Sequence, residues 1–186
     1  MDFVLIAGDV DDQEEAGVRA QLRFLRGLQR LSAAAIPVFV IHGNHDPQGG
    51  RWPAIKEWPA IKEWPAGVTV FGHDRVDVIP VERDGHTLAL VHGTSYPARH
   101  VTENLALRFR RQSDAPVYQI GLLHVSVGDH PEHGVYAPCS LDDLRRSAPG
   151  RRQQVAELVP GAGWTRCHRY AAARPRVPTV TAQFTG

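Results

Sequence analysis

The chain has 186 residues, 42% of them hydrophobic, and a formal net charge of +1. That is enough apolar material for one ordinary core, and no run approaches the ~20 apolar residues that a membrane span needs. The two cysteines, Cys139 and Cys167, lie far apart and form no paired spacing, which argues against a disulfide framework or a thiolate zinc knot.

Met1 leads directly into Phe3-Val4-Leu5-Ile6-Ala7 without a basic n-region or a cleavage site, so the expected location is cytoplasmic. The run itself suits a strand buried on both faces. Gly8-Asp9 makes a turn. Asp11 or Asp12 can cap the next helix, with Glu14 and Glu15 near the positive end of its dipole. The helix is expected to reach about Ala34, burying Leu22, Leu25, Leu28 and Leu31, and Pro37 enforces its exit. Val38-Phe39-Val40-Ile41 is the second buried strand, and strand, helix, strand in this order implies two parallel strands.

Trp52-Pro53-Ala54-Ile55-Lys56-Glu57 then repeats as Trp58 to Glu63, with Trp64-Pro65 following. Three spaced tryptophans can stack bases, but the unit is far shorter than the ~20–50 residues of a solenoid repeat. The preferred reading is a local duplication that lengthens a surface loop.

Strands are expected at Val68 to Phe71, Val76 to Val81 and Thr87 to Val91, the last two joined by the hairpin signal Asp84-Gly85. A short amphipathic helix from Thr102 to Arg111 would carry Leu105, Leu107 and Phe109, and Val117 to Leu123 reads as another buried strand. The expected fold class is α/β, a mixed β-sheet core flanked by helices.

Charge divides the chain after Leu144. Residues 1–144 carry 13 Lys/Arg against 19 Asp/Glu, whereas residues 145–186 carry 8 Arg against the single acid Glu157. The expected organisation is therefore a partial domain over 1–144 and an irregular Arg/Ala/Pro/Gly-rich tail over 145–186. Such a tail can bind phosphate. With 2 lysines in the whole chain the composition points to a GC-rich gene, and a frame shift near Arg145 is the simpler expectation.

The chemistry lies where buried strands end. The first ends in Gly8-Asp9, the second in Gly43-Asn44-His45-Asp46, and Gln119 to Leu123 ends in His124. In an open α/β sheet functional groups collect at the carboxyl ends of parallel strands, which would bring these three clusters together. Carboxylate, amide oxygen and imidazole suit manganese, iron or zinc. Two ions held there can clamp a phosphate and lower the pKa of a bound water, with Asp9 bridging them. His45 is placed to protonate the leaving oxygen or steady the phosphoryl group, and Asp46 to accept the other N–H of the His45 ring. The catalytic candidates are thus His45 and Asp46, and the metal candidates Asp9, Asn44 and His124. The other histidines lack a motif at a strand end and read as surface or structural; His130 and His133 sit in a loop that follows His124 closely.

Gly8-Asp9-Val10-Asp11-Asp12 resembles the Gly-Asp-x-x-Asp motif of the calcineurin-like metallophosphoesterase superfamily, Gly43 to Asp46 its Gly-Asn-His-Asp/Glu motif, and Leu122-Leu123-His124 its later strand-to-histidine motif. The spacing, with Gly93-Thr94-Ser95-Tyr96-Pro97 and Tyr136 to Leu144, most resembles the SbcD-type DNA repair exonucleases, the YhaO-like branch in particular. The resemblance covers residues 1–144. It implies a manganese-dependent, two-metal nuclease acting on DNA ends beside an SMC-like ATPase, with Asp9 as bridging ligand, Asn44 and His124 as ligands and His45 as the catalytic histidine. Neither the superfamily's upstream Asp-x-His motif nor its closing Gly-His-x-His motif is matched. The expectation is an incomplete copy that binds two metals poorly and has little nuclease activity. The alternatives are a non-catalytic remnant that binds nucleic acid, or a small-molecule phosphodiesterase.

Overall fold

The computed structural model describes residues 2–10, 18–49, 63–112, 117–128 and 136–147, and the backbone of 153–156. Strand β1 (Val4–Ala7) pairs in parallel with β2 (Val38–Ile41), which pairs in parallel with β3 (Val68–Val70). The continuous apolar runs of β1 and β2 reflect cover on both faces. Val4, Ile6, Val38 and Val40 meet Phe24 and Leu28 of helix α1 (Val18–Ala33), while Leu5, Ala7, Phe39 and Ile41 face a second sheet. Burying each such side chain contributes about 1.5–3 kcal/mol, so losing either layer would expose half of each strand.

The second sheet orders β4 (Asp77–Arg83), β5 (His86–Gly93), β6 (Tyr118–Leu122) and β7 (Gln153–Ala156) side by side. Only the β4 and β5 pair is antiparallel. Val81, Ala89, Val91 and Leu122 pack against the first sheet, giving layers of helix, sheet and sheet. The α/β architecture expected from the sequence is the one observed, with its strands shared between two sheets. Asp84 and Gly85 both take positive φ, 51° and 75°, as a tight hairpin turn requires.

Of the leucine row expected in helix α1, Leu28 is buried and Leu25 and Leu31 pack against the core, while Leu22 does not and lies 39% exposed. Gln21 and Phe24 are buried beside them. The helix rotates to place the large ring of Phe24 on the sheet. It ends in a Schellman motif: Ile36 N–H donates to the Leu31 carbonyl, Ala35 N–H donates to that of Ser32, and Ala35 adopts φ 51°. Leu31 and Ile36 pack against the same core, the apolar contact that accompanies this cap.

The amphipathic helix expected over Thr102 to Arg111 is reduced to one 3₁₀ turn, Leu105–Arg108, with extended backbone at Asn104 and Phe109. Asn104 caps its start in extended geometry, and its side chain donates to Asp143 of helix α2 (Leu141–Ser147). The apolar pattern is satisfied all the same, because Leu105, Ala106 and Phe109 join Tyr96, Leu123, Val125 and Cys139 in a third buried cluster. Ser140 caps α2 reciprocally: its hydroxyl accepts from Asp143 N–H, and its own N–H donates to the Asp143 carboxylate.

The division expected after Leu144 falls inside α2, and Gln153–Ala156 pair with β6 as β7. The first two Trp-Pro units, the cap expected at Asp11 or Asp12, His130, His133, Cys167 and residues 157–186 lie outside the described residues. Trp64 lies within them and packs against the core under α1. Among the described residues no helix is long and apolar enough to cross a membrane.

Candidate metal centre

β1 and β2 run in parallel, so their carboxyl ends release Gly8-Asp9 and His42 to Asp46 at the same edge. The two turns approach so closely that side chains are barred between them. A Cβ on Gly8 would lie 2.6 Å from the Gly43 nitrogen, and a Cβ on Gly43 would lie 2.2 Å from Asp9 Oδ1. Gly8 also takes φ 84°, where a side chain is strained. The glycine of the second turn therefore makes the space in which the Asp9 carboxylate sits.

Asp46 staples the turns together. Its buried carboxylate accepts from Gly43 N–H at 2.6 Å, Val10 N–H at 3.2 Å and Asp9 N–H at 3.3 Å. Burial pushes this carboxyl above its ordinary value, opposed by His42 and by the Gly43 amide. The sequence suggested that Asp46 orients the His45 ring; in the structure its carboxylate serves three backbone amides, of which that of Gly43 is buried and those of Asp9 and Val10 are partly so. Asp9 in turn accepts from His45 N–H through Oδ1 at 3.0 Å, which leaves Oδ2 to face inward.

His124 arrives from the end of β6. Its Nδ1–H donates to the Ala7 carbonyl at 2.9 Å, so in the neutral ring Nε2 carries the lone pair. That nitrogen lies 2.9 Å from Asn44 Oδ1 and 3.4 Å from Asp9 Oδ2. Imidazole, amide oxygen and carboxylate oxygen thus turn electron pairs towards one another in a buried place. Such a set is repulsive by itself and is relieved by a cation, so these residues fit a divalent ion. The donor set is small. Among the described residues no three His, Cys, Asp or Glu side chains gather at one point.

Asp9, Asn44 and His124, singled out in the sequence, are therefore brought together; His45 is tied in through its backbone, and Asp46 lies beneath. Three supports had no signature in the sequence. His42 Nδ1–H donates to the Asp46 carbonyl, and the Ser95 hydroxyl accepts from His42 N–H while donating to the Phe71 carbonyl. Gln48 donates to that same Phe71 carbonyl through its side chain and to the Tyr96 carbonyl through its backbone. Polar residues following β2 and β5 were the available signal, and it does not distinguish a support from an ordinary loop.

The calcineurin-like phosphoesterase family model matches residues 1–145. The chain is 38% identical over 147 residues to the uncharacterized metallophosphoesterase YhaO of Bacillus subtilis, an alignment covering 79% of this chain and 34% of that protein. It is 30% identical over 115 residues to the DNA double-strand break repair protein Mre11 of Thermoplasma acidophilum, covering 61% of this chain and 29% of that one. The chain thus spans about a third of the length of the curated relatives it matches.

Proposed function

The chain belongs to the calcineurin-like phosphoesterase family, and from that membership we propose that it is built for metal-dependent hydrolysis of phosphodiesters in DNA, in the manner of an end-directed exonuclease. The convergence of Asp9 Oδ2, Asn44 Oδ1 and His124 Nε2 carries the reading. Similarity to a protein named for DNA double-strand break repair supports DNA as the substrate, and an SMC-like ATPase, implied by the resemblance of the motifs, is the proposed partner. Manganese, as one or two ions, is the proposed metal.

Ions held by these ligands would supply an acidified water and positive charge for the phosphoryl oxygens. The protein's own part is orientation. Asp46 fixes the Asp9 turn against the Asn44 turn, and the Ala7 carbonyl fixes which His124 nitrogen is bare. His45, the partly exposed member of the turn, is the proposed proton donor to the leaving oxygen. Three ligands hold one ion better than two, so slow turnover is expected of this chain alone.

The test is incubation of the purified full chain with end-labelled duplex DNA, with and without manganese, beside Asp9→Asn and His45→Ala. Slow, manganese-dependent release of nucleotides from the ends that both substitutions remove is the expected outcome. Absence of any manganese-dependent cleavage, or cleavage that survives both substitutions, would contradict the proposal.

A further inference from the structure

Tyr96 is the largest fully buried side chain among the described residues, and it lies against the candidate centre. Its ring meets the His124 ring edge-to-face, centroids 5.3 Å apart and planes at 87°. The backbone that carries it is sewn to the turn bearing Asn44 and His45: Tyr96 N–H donates to the His42 carbonyl, and the Tyr96 carbonyl accepts from Gln48 N–H, each at 3.0 Å. Ser95, one residue earlier, holds His42 N–H through its hydroxyl. The ring shares a buried cluster with Leu105, Leu123, Val125 and Ala137.

The bond from His124 Nδ1 to Ala7 selects the tautomer but leaves the imidazole free to swing about it. A rigid ring wall removes that freedom. We propose that Tyr96 is a positioning residue for this centre, its ring holding the His124 imidazole in the plane that turns Nε2 to Asn44 and Asp9. The ligand from β6 is thereby referenced to the turn after β2, although the two strands belong to different sheets. The ring does this and the phenol does not, since the buried hydroxyl has no hydrogen-bond partner among the described residues.

This inference rests on reading His124 as a ligand, and the experiment separates the two. Nitrogen-15 NMR of the full, unsubstituted chain should show His124 in a single Nδ1–H tautomer. Manganese calorimetry should then find Tyr96→Phe within about twofold of the parent, while Tyr96→Met and Tyr96→Leu weaken binding by about 10–100-fold, the range for residues that orient a ligand. Val101→Ala, which opens a cavity in the same cluster but keeps the ring, should leave affinity unchanged. If His124→Ala weakens manganese binding but neither Met nor Leu at 96 does, the positioning role is overturned alone; if His124→Ala binds as tightly as the parent, both readings fall. A His124 ring in the Nε2–H tautomer overturns both readings, and loss with Phe equal to that with Met overturns the role of the ring.

Discussion

Two turns built from the same pair of residues do opposite work in this molecule. At Asp84-Gly85 both residues are exposed, φ is positive at each, and a Cβ added to Gly85 would meet nothing within 4 Å. At Gly8-Asp9 φ is again positive at each, 84° and 48°, but the glycine lies against the backbone of Gly43 and the aspartate is held among amides and a histidine. The hairpin needs its glycine for backbone freedom only. The strand-end turn needs it for freedom and for space, and the space is filled by chemistry. A left-handed Gly/Asp pair therefore acquires function from what packs on it.

Substitutions sharpen this contrast. The largest effect is expected at Asp46→Ala, which removes the acceptor from the buried Gly43 amide and the partly buried Asp9 and Val10 amides and should cost about 3–5 kcal/mol, read as a fall in the urea midpoint at unchanged slope. Stability within 1 kcal/mol of the parent would show that the turns hold together without the staple. Gly43→Ala places a methyl on the Asp9 carboxylate, so manganese affinity should fall by about 100-fold or more with a smaller loss of stability. Gly85→Ala, the matched change in the hairpin, should cost only about 1 kcal/mol by thermal melting and leave manganese binding untouched. Equal effects of the two glycine changes on metal binding would erase the distinction drawn here.

The smallest effect concerns pH. Asp143 is held well below the usual carboxylate range by the Ser140 amide and hydroxyl, with Arg146 and Asn104 adding to them. A carboxylate with a lowered folded pKa stabilises above its unfolded value, about 3.9, and that contribution fades as pH falls from there towards the folded value. Asp143→Asn should therefore lower the melting temperature slightly at pH 7, and the gap between variant and parent should close in acid. A gap that persists unchanged at low pH would assign the effect to packing of α2 instead of to the charge.

Much of this was legible in the sequence because it depends on local rules. Val4 to Ala7 and Val38 to Ile41 announce strands buried on both faces, Asp84-Gly85 announces its hairpin, and Asp9, Asn44 and His124 stand at strand ends. What escaped depends on tertiary partners. Leu22 has the spacing of a core residue yet points outward, because the sheet receives Phe24 better. The segment around Leu105 has a helical apolar pattern, but it forms only one 3₁₀ turn, its apolar side chains being buried with Tyr96 and Leu123 from distant parts of the chain. Asp46 and Tyr96 could not be assigned from spacing, since the amides of the first turn and the His124 ring reach them from 36 and 28 residues away along the chain.

The convergence of three acceptors on one buried point is tested most directly by calorimetric titration of the whole chain with manganese, beside Asn44→Ala and His124→Ala. The unsubstituted chain should bind the ion, and each substitution should weaken binding by at least about tenfold. Binding unchanged by both substitutions, or no binding by the folded parent, would contradict the assignment of these residues as ligands.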